Sequence, residues 1–286
     1  MLRGIVVKAY NSYYYVQTED KTAMCTLRGR FKKERFSLIV GDDVEYTMVS
    51  ADKGVIERIM PRRSMLKRPM VANVDQVILT FAAVNPDVNP ALIDRFLILA
   101  ELSGLATVIC INKIDLIDIS KIQPIIDLYQ NIGYPVIPMS AKGGIGIKEL
   151  RTKLYDQITA FAGPSGVGKS TILNTVEPGL ELMTGEVSQK IGRGKHTTRF
   201  AELLPLSGGG FVVDTPGFSF TEFNDLTEQE LMYCFPEIAA VAPRCKFNTC
   251  LHYKEPQCAV KQAVTEGHIS QARYDSYIQA LLELKK

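Results

Sequence analysis

The order of two short motifs constrains this chain more than any other feature. Gly163-Pro164-Ser165-Gly166-Val167-Gly168-Lys169-Ser170 follows an apolar strand over 157–162 and opens a helical segment over 171–176. That is the strand–loop–helix context of a phosphate-binding loop. Glycines let the backbone curl so that successive N–H groups face phosphate oxygens. The helix that follows, from Thr171, aims its positive end at the same point. Lys169 is placed to reach the β- and γ-phosphates, and Ser170 to ligate Mg²⁺. Asn112-Lys113-Ile114-Asp115 has the form of a guanine-reading tetrad and ends another apolar strand, yet it precedes the loop. In ordinary sites of this kind it follows. One nucleotide site must therefore be assembled from segments that run in permuted order.

The flanking motifs fit the same site. An aspartate at 115 accepts hydrogen bonds from the two N–H groups on the Watson–Crick edge of guanine. Adenine would leave it unpaired, and an unpaired buried acceptor is costly. Lys113 can lay its stem over the base. Ser140-Ala141-Lys142 follows a strand at 136–137, which places the Ala141 N–H to read guanine O6. Asp214-Thr215-Pro216-Gly217 follows a further apolar strand; Asp214 suits water-mediated Mg²⁺ binding, and the Gly217 N–H suits the γ-phosphate. Between loop and aspartate lie Thr197 and Thr198, one of which closes onto Mg²⁺ and γ-phosphate, within the glycine-rich and basic stretch Gly192-Arg193-Gly194-Lys195-His196. Phe218 stands where Ras-like GTPases carry the glutamine that orients water, and phenylalanine cannot do that chemistry. His196 is the nearest replacement, since an imidazole can orient or deprotonate water. On residue type alone, an exposed loop histidine is the competing reading.

At 286 residues the chain has room for roughly two or three domains. The segments over 4–7, 13–16, 24–27, 44–49 and 54–59 are short, β-branched and aromatic, and they are separated by turn residues. Their spacing suits a small barrel. Pro61-Arg62-Arg63 and Pro69 read as a basic linker. From residue 74 strands and helices alternate, as in a sheet with crossovers: helices are expected over 92–102, 122–130 and 147–155, strands over 74–81, 106–111 and 134–138, and a hairpin over 201–213. Beyond residue 221 no strand is evident. Thr227-Glu228-Gln229-Glu230 reads as a capping box that starts a helix, and 270–284 as an amphipathic helix. The expected domains are 1–62, 63–222 and 223–286, in a multidomain α/β chain.

Cys245, Cys250, His252 and Cys258 supply three thiolates and an imidazole, enough to complete a closed tetrahedral zinc site. Redox cysteines or an unliganded core are the alternatives. Cys25, Cys110 and Cys234 read as buried apolar residues, and His268 as a surface residue. Residues 1–70 hold 14 Lys and Arg against 8 Asp and Glu, while the other 216 hold 19 against 23. A basic N-terminal module can meet phosphate-rich surfaces, or can simply be a solvated face. No signal-peptide pattern and no apolar run of about 20 residues is present, so a cytoplasmic protein that does not engage membranes is expected.

Taken together these motifs, with Gly194-Lys195-His196-Thr197-Thr198 and the stretch from Asn89-Pro90 to Leu97, resemble the circularly permuted, small-subunit-dependent bacterial GTPase A family across essentially the whole chain. The resemblance implies an N-terminal OB-fold that binds RNA, a permuted P-loop GTPase domain with a mostly parallel sheet, and a C-terminal helical zinc domain. It implies GTP and GDP, Mg²⁺ and one Zn²⁺, with catalysis by His196. It also implies a role in late maturation of the 30S subunit, with 16S rRNA as partner and hydrolysis stimulated by that subunit; a monomer is expected. The competing functions are a scaffold that holds GTP without hydrolysing it, a GTPase serving the large subunit, and a small-molecule kinase.

Overall fold

The structure is a computed structural model. It describes residues 1–18, 21–28, 38–67, 69–180, 182, 201–214 and 226–285. The chain divides into two compact units: Met1–Val77, Ile147–Phe161 and Ser170–Phe218 form one, and Ile78–Gly146, Ala162–Lys169 and Ser219–Lys286 the other. Among the described residues the largest sheet has six strands in the order β10-β9-β8-β11-β13-β12: β8 (Gln76–Ala82), β9 (Ala106–Asn112), β10 (Val136–Pro138), β11 (Ile158–Ala162), β12 (Glu202–Pro205) and β13 (Phe211–Asp214). β9 runs parallel to β10 and β11 parallel to β13, while β12 and β13 form the expected antiparallel hairpin. β8 and β11 are buried at every position, as strands covered on both faces require.

The first unit begins with a closed barrel of order β1-β2-β3-β5-β4, built from β1 (Leu2–Tyr10), β2 (Tyr13–Gln17), β3 (Thr22–Leu27), β4 (Asp43–Met48) and β5 (Lys53–Ile59). Val6, Val16, Ala23, Cys25, Tyr46 and Ile56 fill it. Gly54 is needed where it stands, because a Cβ there would lie 2.9 Å from both Cys25 Sγ and Tyr46 Cδ2. The expected basic linker proves to be packed structure. β6 (Met65–Lys67) and β7 (Met70–Ala72) pair as a hairpin. Before it, Arg62 grips the fully buried Asp42 through Nε at 2.6 Å and Nη2 at 2.8 Å. Proline and arginine read as linker chemistry, but a buried carboxylate demands a cation. Arg63 Nη1 reaches Asp75 at 2.7 Å, and Asp75 Oδ2 accepts from the Ile158 N–H at 2.8 Å, so the strand that feeds the phosphate loop is tied to this segment.

The second unit carries α1 (Pro90–Leu102), α2 (Gln123–Ile132) and the C-terminal helices α5 (Pro236–Val241), α6 (Ala259–Thr265) and α7 (Gln271–Leu284); α3 (Ile147–Leu154) and α4 (from Lys169 to Val176) come between them in sequence. Ile98 and Leu99 of α1 join Leu231, Phe235, Ile238, Val260, Tyr277 and Leu281 in one core. At its centre Arg273, 1% exposed, donates to Asp94 Oδ1 at 2.7 Å and to Glu237 Oε1 at 2.6 Å, and Tyr129 also donates to Asp94 at 2.6 Å. The capping box at Thr227 and Glu230 forms reciprocally, at 3.0 and 3.3 Å. It opens a turn and a 3-10 helix (Leu231–Cys234) rather than an α-helix. Pro236 is the reason: it drives Phe235 out of the helical region, to φ −126° and ψ 89°. Among the described residues no strand follows β13.

Candidate functional site

The phosphate loop is shaped by contacts that only glycine tolerates. β11 delivers the chain to Gly163, whose φ is +139°, and a Cβ there would sit 2.0 Å from the Thr80 carbonyl oxygen. Gly168 has φ +99°, and a Cβ there would sit 2.5 Å from Asn112 Nδ2; Gly166 has φ +80°. Val167 is buried, while Ser165 and Gly166 face solvent and Pro164 is half-buried. Lys169 folds back over the loop and donates from Nζ to the Gly163 and Pro164 carbonyls at 2.8 and 2.7 Å. Burial pulls its pKa below the ordinary lysine value, because the ammonium loses part of its water. Ser170 and Thr171 follow, half-buried, in the first turn of α4.

Asn112 ties the tetrad to that loop. Its Nδ2 donates to the Val167 carbonyl at 2.9 Å, and its Oδ1 accepts from the Ala141 N–H at 3.0 Å. One 3%-exposed side chain thus joins the end of β9, the phosphate loop and the Ser140–Lys142 segment. Lys113 adopts the left-handed conformation (φ 65°, ψ 30°) and stretches its ammonium to the Gly166 carbonyl at 2.8 Å and to the Asn85 carbonyl. Its stem therefore spans from the tetrad to the loop, the course needed to lie over a base. Ile114 donates its N–H to Met139 O at 3.2 Å, and Asp115 lies exposed in the 3-10 turn Ile114–Leu116. Ser140 is fully buried, and its Oγ accepts from the Gly143 N–H at 2.9 Å, which closes the turn; Lys142 is exposed. The Ala141 N–H expected to read O6 is thus engaged by Asn112. Asn85 was not among the expected site residues. Its signal was an Asn-Pro turn pair just beyond an apolar strand.

Asp214 is the last residue of β13 and pairs with Glu202 across the hairpin, while its neighbour Val213 pairs with Ala160 of β11. His196, Thr197, Thr198 and Gly217 lie outside the described residues. Of the residues expected at Mg²⁺, Ser170 and the backbone of Asp214 are among the described ones.

Cys245, Cys250, His252 and Cys258 converge in the second unit, with one ligand atom from each lying within 4.8 Å of the others. His252 Nδ1 is 3.5 Å from Cys245 Sγ and from Cys258 Sγ, and those two sulfurs are 3.9 Å apart. A disulfide would need about 2 Å. A tetrahedron with metal–sulfur bonds of roughly 2.3 Å has edges of about 3.8 Å, so the spacing and donor set fit zinc. Burial lowers the His252 pKa, which favours the neutral imidazole that ligates metals. Glu255 braces the loop by accepting from the Leu251 and Tyr253 N–H groups at 3.0 and 2.9 Å. From α7, Tyr274 and Tyr277 donate to the His252 and Leu251 carbonyls at 2.7 and 2.9 Å. Cys25, Cys110 and Cys234 are buried and unbridged, and His268 is exposed, all as expected.

The model of the RsgA N-terminal domain matches residues 3–56, and that of the RsgA GTPase matches residues 59–224. The chain belongs to the RsgA GTPase family. As a member of that family it is a GTPase, with GTP and GDP as its nucleotides and Mg²⁺ as the attendant ion. RsgA relatives described as small ribosomal subunit biogenesis GTPases include those of Bacillus subtilis, 45% identical over 100% of this chain and 98% of its own, and Caldanaerobacter subterraneus, 44% identical over 100% and 96%. Among solved structures, YjeQ from Thermotoga maritima superposes with a TM-score of 0.88 at 41% identity, covering 99% of this chain and 98% of its own. YloQ, described as a circularly permuted GTPase, gives 0.85 at 40% identity, covering 99% and 94%. The RsgA assignment bears out the expected family, and the barrel and sheet bear out the expected fold class.

Proposed function

We propose that this GTPase acts in late maturation of the small ribosomal subunit, binding the 30S particle and its 16S rRNA and leaving after hydrolysis. The relatives' descriptions as small ribosomal subunit biogenesis GTPases support that reading. The basic N-terminal barrel supports RNA contact, because Lys and Arg release counterions from phosphates. The domain limits consistent with it are 1–62 for the RNA-binding barrel, 63–222 for the permuted GTPase and 223–286 for the zinc domain. No helix among the described residues is long and apolar enough to cross a membrane. A monomer working in the cytoplasm fits this role.

The observation that carries the nucleotide assignment is Asn112, hydrogen-bonded to both Val167 and Ala141. With the tetrad and loop held together, Asp115 receives the guanine N–H groups, Lys113 covers the base, and residues Gly163–Thr171 wrap the phosphates. Lys169 leaves the two loop carbonyls for the β- and γ-phosphates. Ser170, Asp214 and either Thr197 or Thr198 hold Mg²⁺, which when bound neutralises charge building on the phosphate oxygens. Gly217 donates to the γ-phosphate, and His196 orients the attacking water or takes its proton. Cys245, Cys250, His252 and Cys258 hold one structural Zn²⁺, fixing a loop too small to build a core of its own.

Two measurements test this reading. GTP hydrolysis is followed with and without purified small subunits: stimulation by small but not large subunits is expected, and an unchanged rate overturns the ribosomal role. His196→Ala should bind GTP normally and lose the stimulated rate by a factor of about 10² or more; full stimulated turnover would remove His196 from catalysis.

A further inference from the structure

Lys8 reaches the outside of the barrel because of one irregularity in β1. The strand pairs with β2 as Val6↔Val16 and then Lys8↔Tyr15, so Val7 is the extra residue of a bulge. Strict alternation would turn Lys8 to the side of Val6, which is buried in the barrel core. The bulge re-aims it outward. There β1 packs against β12, and Lys8 Nζ donates to both carboxylate oxygens of Glu202 at 3.1 and 2.9 Å. Glu202 opens β12 and lies directly opposite Asp214 in the hairpin ladder. Both side chains remain accessible, at 46% and 39%. An ion pair so exposed is weakly held, and an RNA phosphodiester competes for the same ammonium.

We propose that the Lys8–Glu202 ion pair is a phosphate-released latch between the barrel and the hairpin that ends in Asp214. The idea rests on the RNA-dependent reading above and adds its means of control. A phosphate that takes Lys8 must break the pair, so RNA binding shifts the molecule toward the unlatched state by linkage. If RNA both stimulates hydrolysis and breaks the pair, the unlatched state is the faster one. The pair therefore restrains the free protein, and Lys8 and Glu202 act as positioning residues.

The test is single-turnover GTP hydrolysis by the full chain at low and high salt, with and without purified small subunits. Glu202→Gln should raise the rate without subunits by about two- to fivefold, the range a surface pair allows, and reduce the fold stimulation by the same factor. Salt should raise the unstimulated rate of the wild type toward that of Glu202→Gln and leave the variant flat. The double charge reversal Lys8→Glu with Glu202→Lys should restore the slow unstimulated rate. A Glu202→Gln protein with the wild-type rate, salt response and stimulation overturns the latch, as does a charge reversal as fast as the single variant. A wild type that subunits leave unstimulated sinks the ribosomal reading instead, while the salt comparison without subunits still decides the latch.

Discussion

At the scale of single residues, Asn112 does more than its place in the tetrad suggests. Its amide gives a donor to the Val167 carbonyl and an acceptor to the Ala141 N–H. Removing it takes the Asn112 amide from two buried backbone groups, and losing such a buried hydrogen bond costs about 1–3 kcal/mol. Asn112→Ala should therefore weaken GDP binding at least tenfold in a calorimetric titration. Asn112→Asp should be worse than the isosteric swap suggests, since it keeps the acceptor for Ala141 but sets a carboxylate against the Val167 carbonyl; wild-type affinity in either variant would refute this role. Gly168→Ala should abolish nucleotide binding, because the new Cβ meets Asn112 Nδ2 at 2.5 Å in a backbone conformation L-residues rarely adopt. Retained binding on a nucleotide column would contradict it. The phosphate-loop and tetrad residues were legible in the sequence because their chemistry is local: a fixed spacing of glycines, a lysine, a carboxylate. The partners of Asn112 and Lys113 were not, since Val167, Gly166 and Asn85 enter through backbone carbonyls that no side-chain pattern marks.

At the scale of elements, periodicity located β8, β9, β11, α1 and α7 within a few residues, because apolar runs and turn residues report burial directly. It failed where a distant contact decides. Residues 61–69 read as linker because the buried Asp42 that claims Arg62 is remote in sequence. The capping box was legible, but the 3-10 geometry after it comes from Pro236. The ion network on α7 was also invisible in sequence. Arg273→Ala should cost about 3–5 kcal/mol in urea unfolding, since it leaves Asp94 and Glu237 without their buried cation. A loss under 1 kcal/mol would show the network to be dispensable. The thiolate cluster was legible from spacing, and its prediction belongs here too. Purified protein should carry about one zinc per chain, measured by elemental analysis. Chelation or Cys258→Ala should remove the ion and lower the melting temperature; full stability without metal would deny it a structural part.

At the scale of the whole molecule, the permuted order of motifs implies that chain connectivity is secondary to where strand ends meet. β9 ends at Asn112 and β11 ends at Ala162, and each hands over to a loop that shares Asn112 as a link. The small barrel and the crossover sheet were legible from strand and helix periodicity, and the family from the resemblance that the motifs carry in their permuted order. The roles expected of Thr197, Thr198 and His196 fall on residues outside the described ones. The measurement that bears most directly on a single guanine site built from reordered segments is nucleotide discrimination by Asp115. Fluorescent GDP and ADP are titrated into the wild type and Asp115→Ala. The wild type should prefer GDP by at least about a hundredfold and the variant should lose most of that preference, as expected when a site's hydrogen-bond partner for the base is removed. An Asp115→Ala protein that keeps the full preference for GDP would contradict the account.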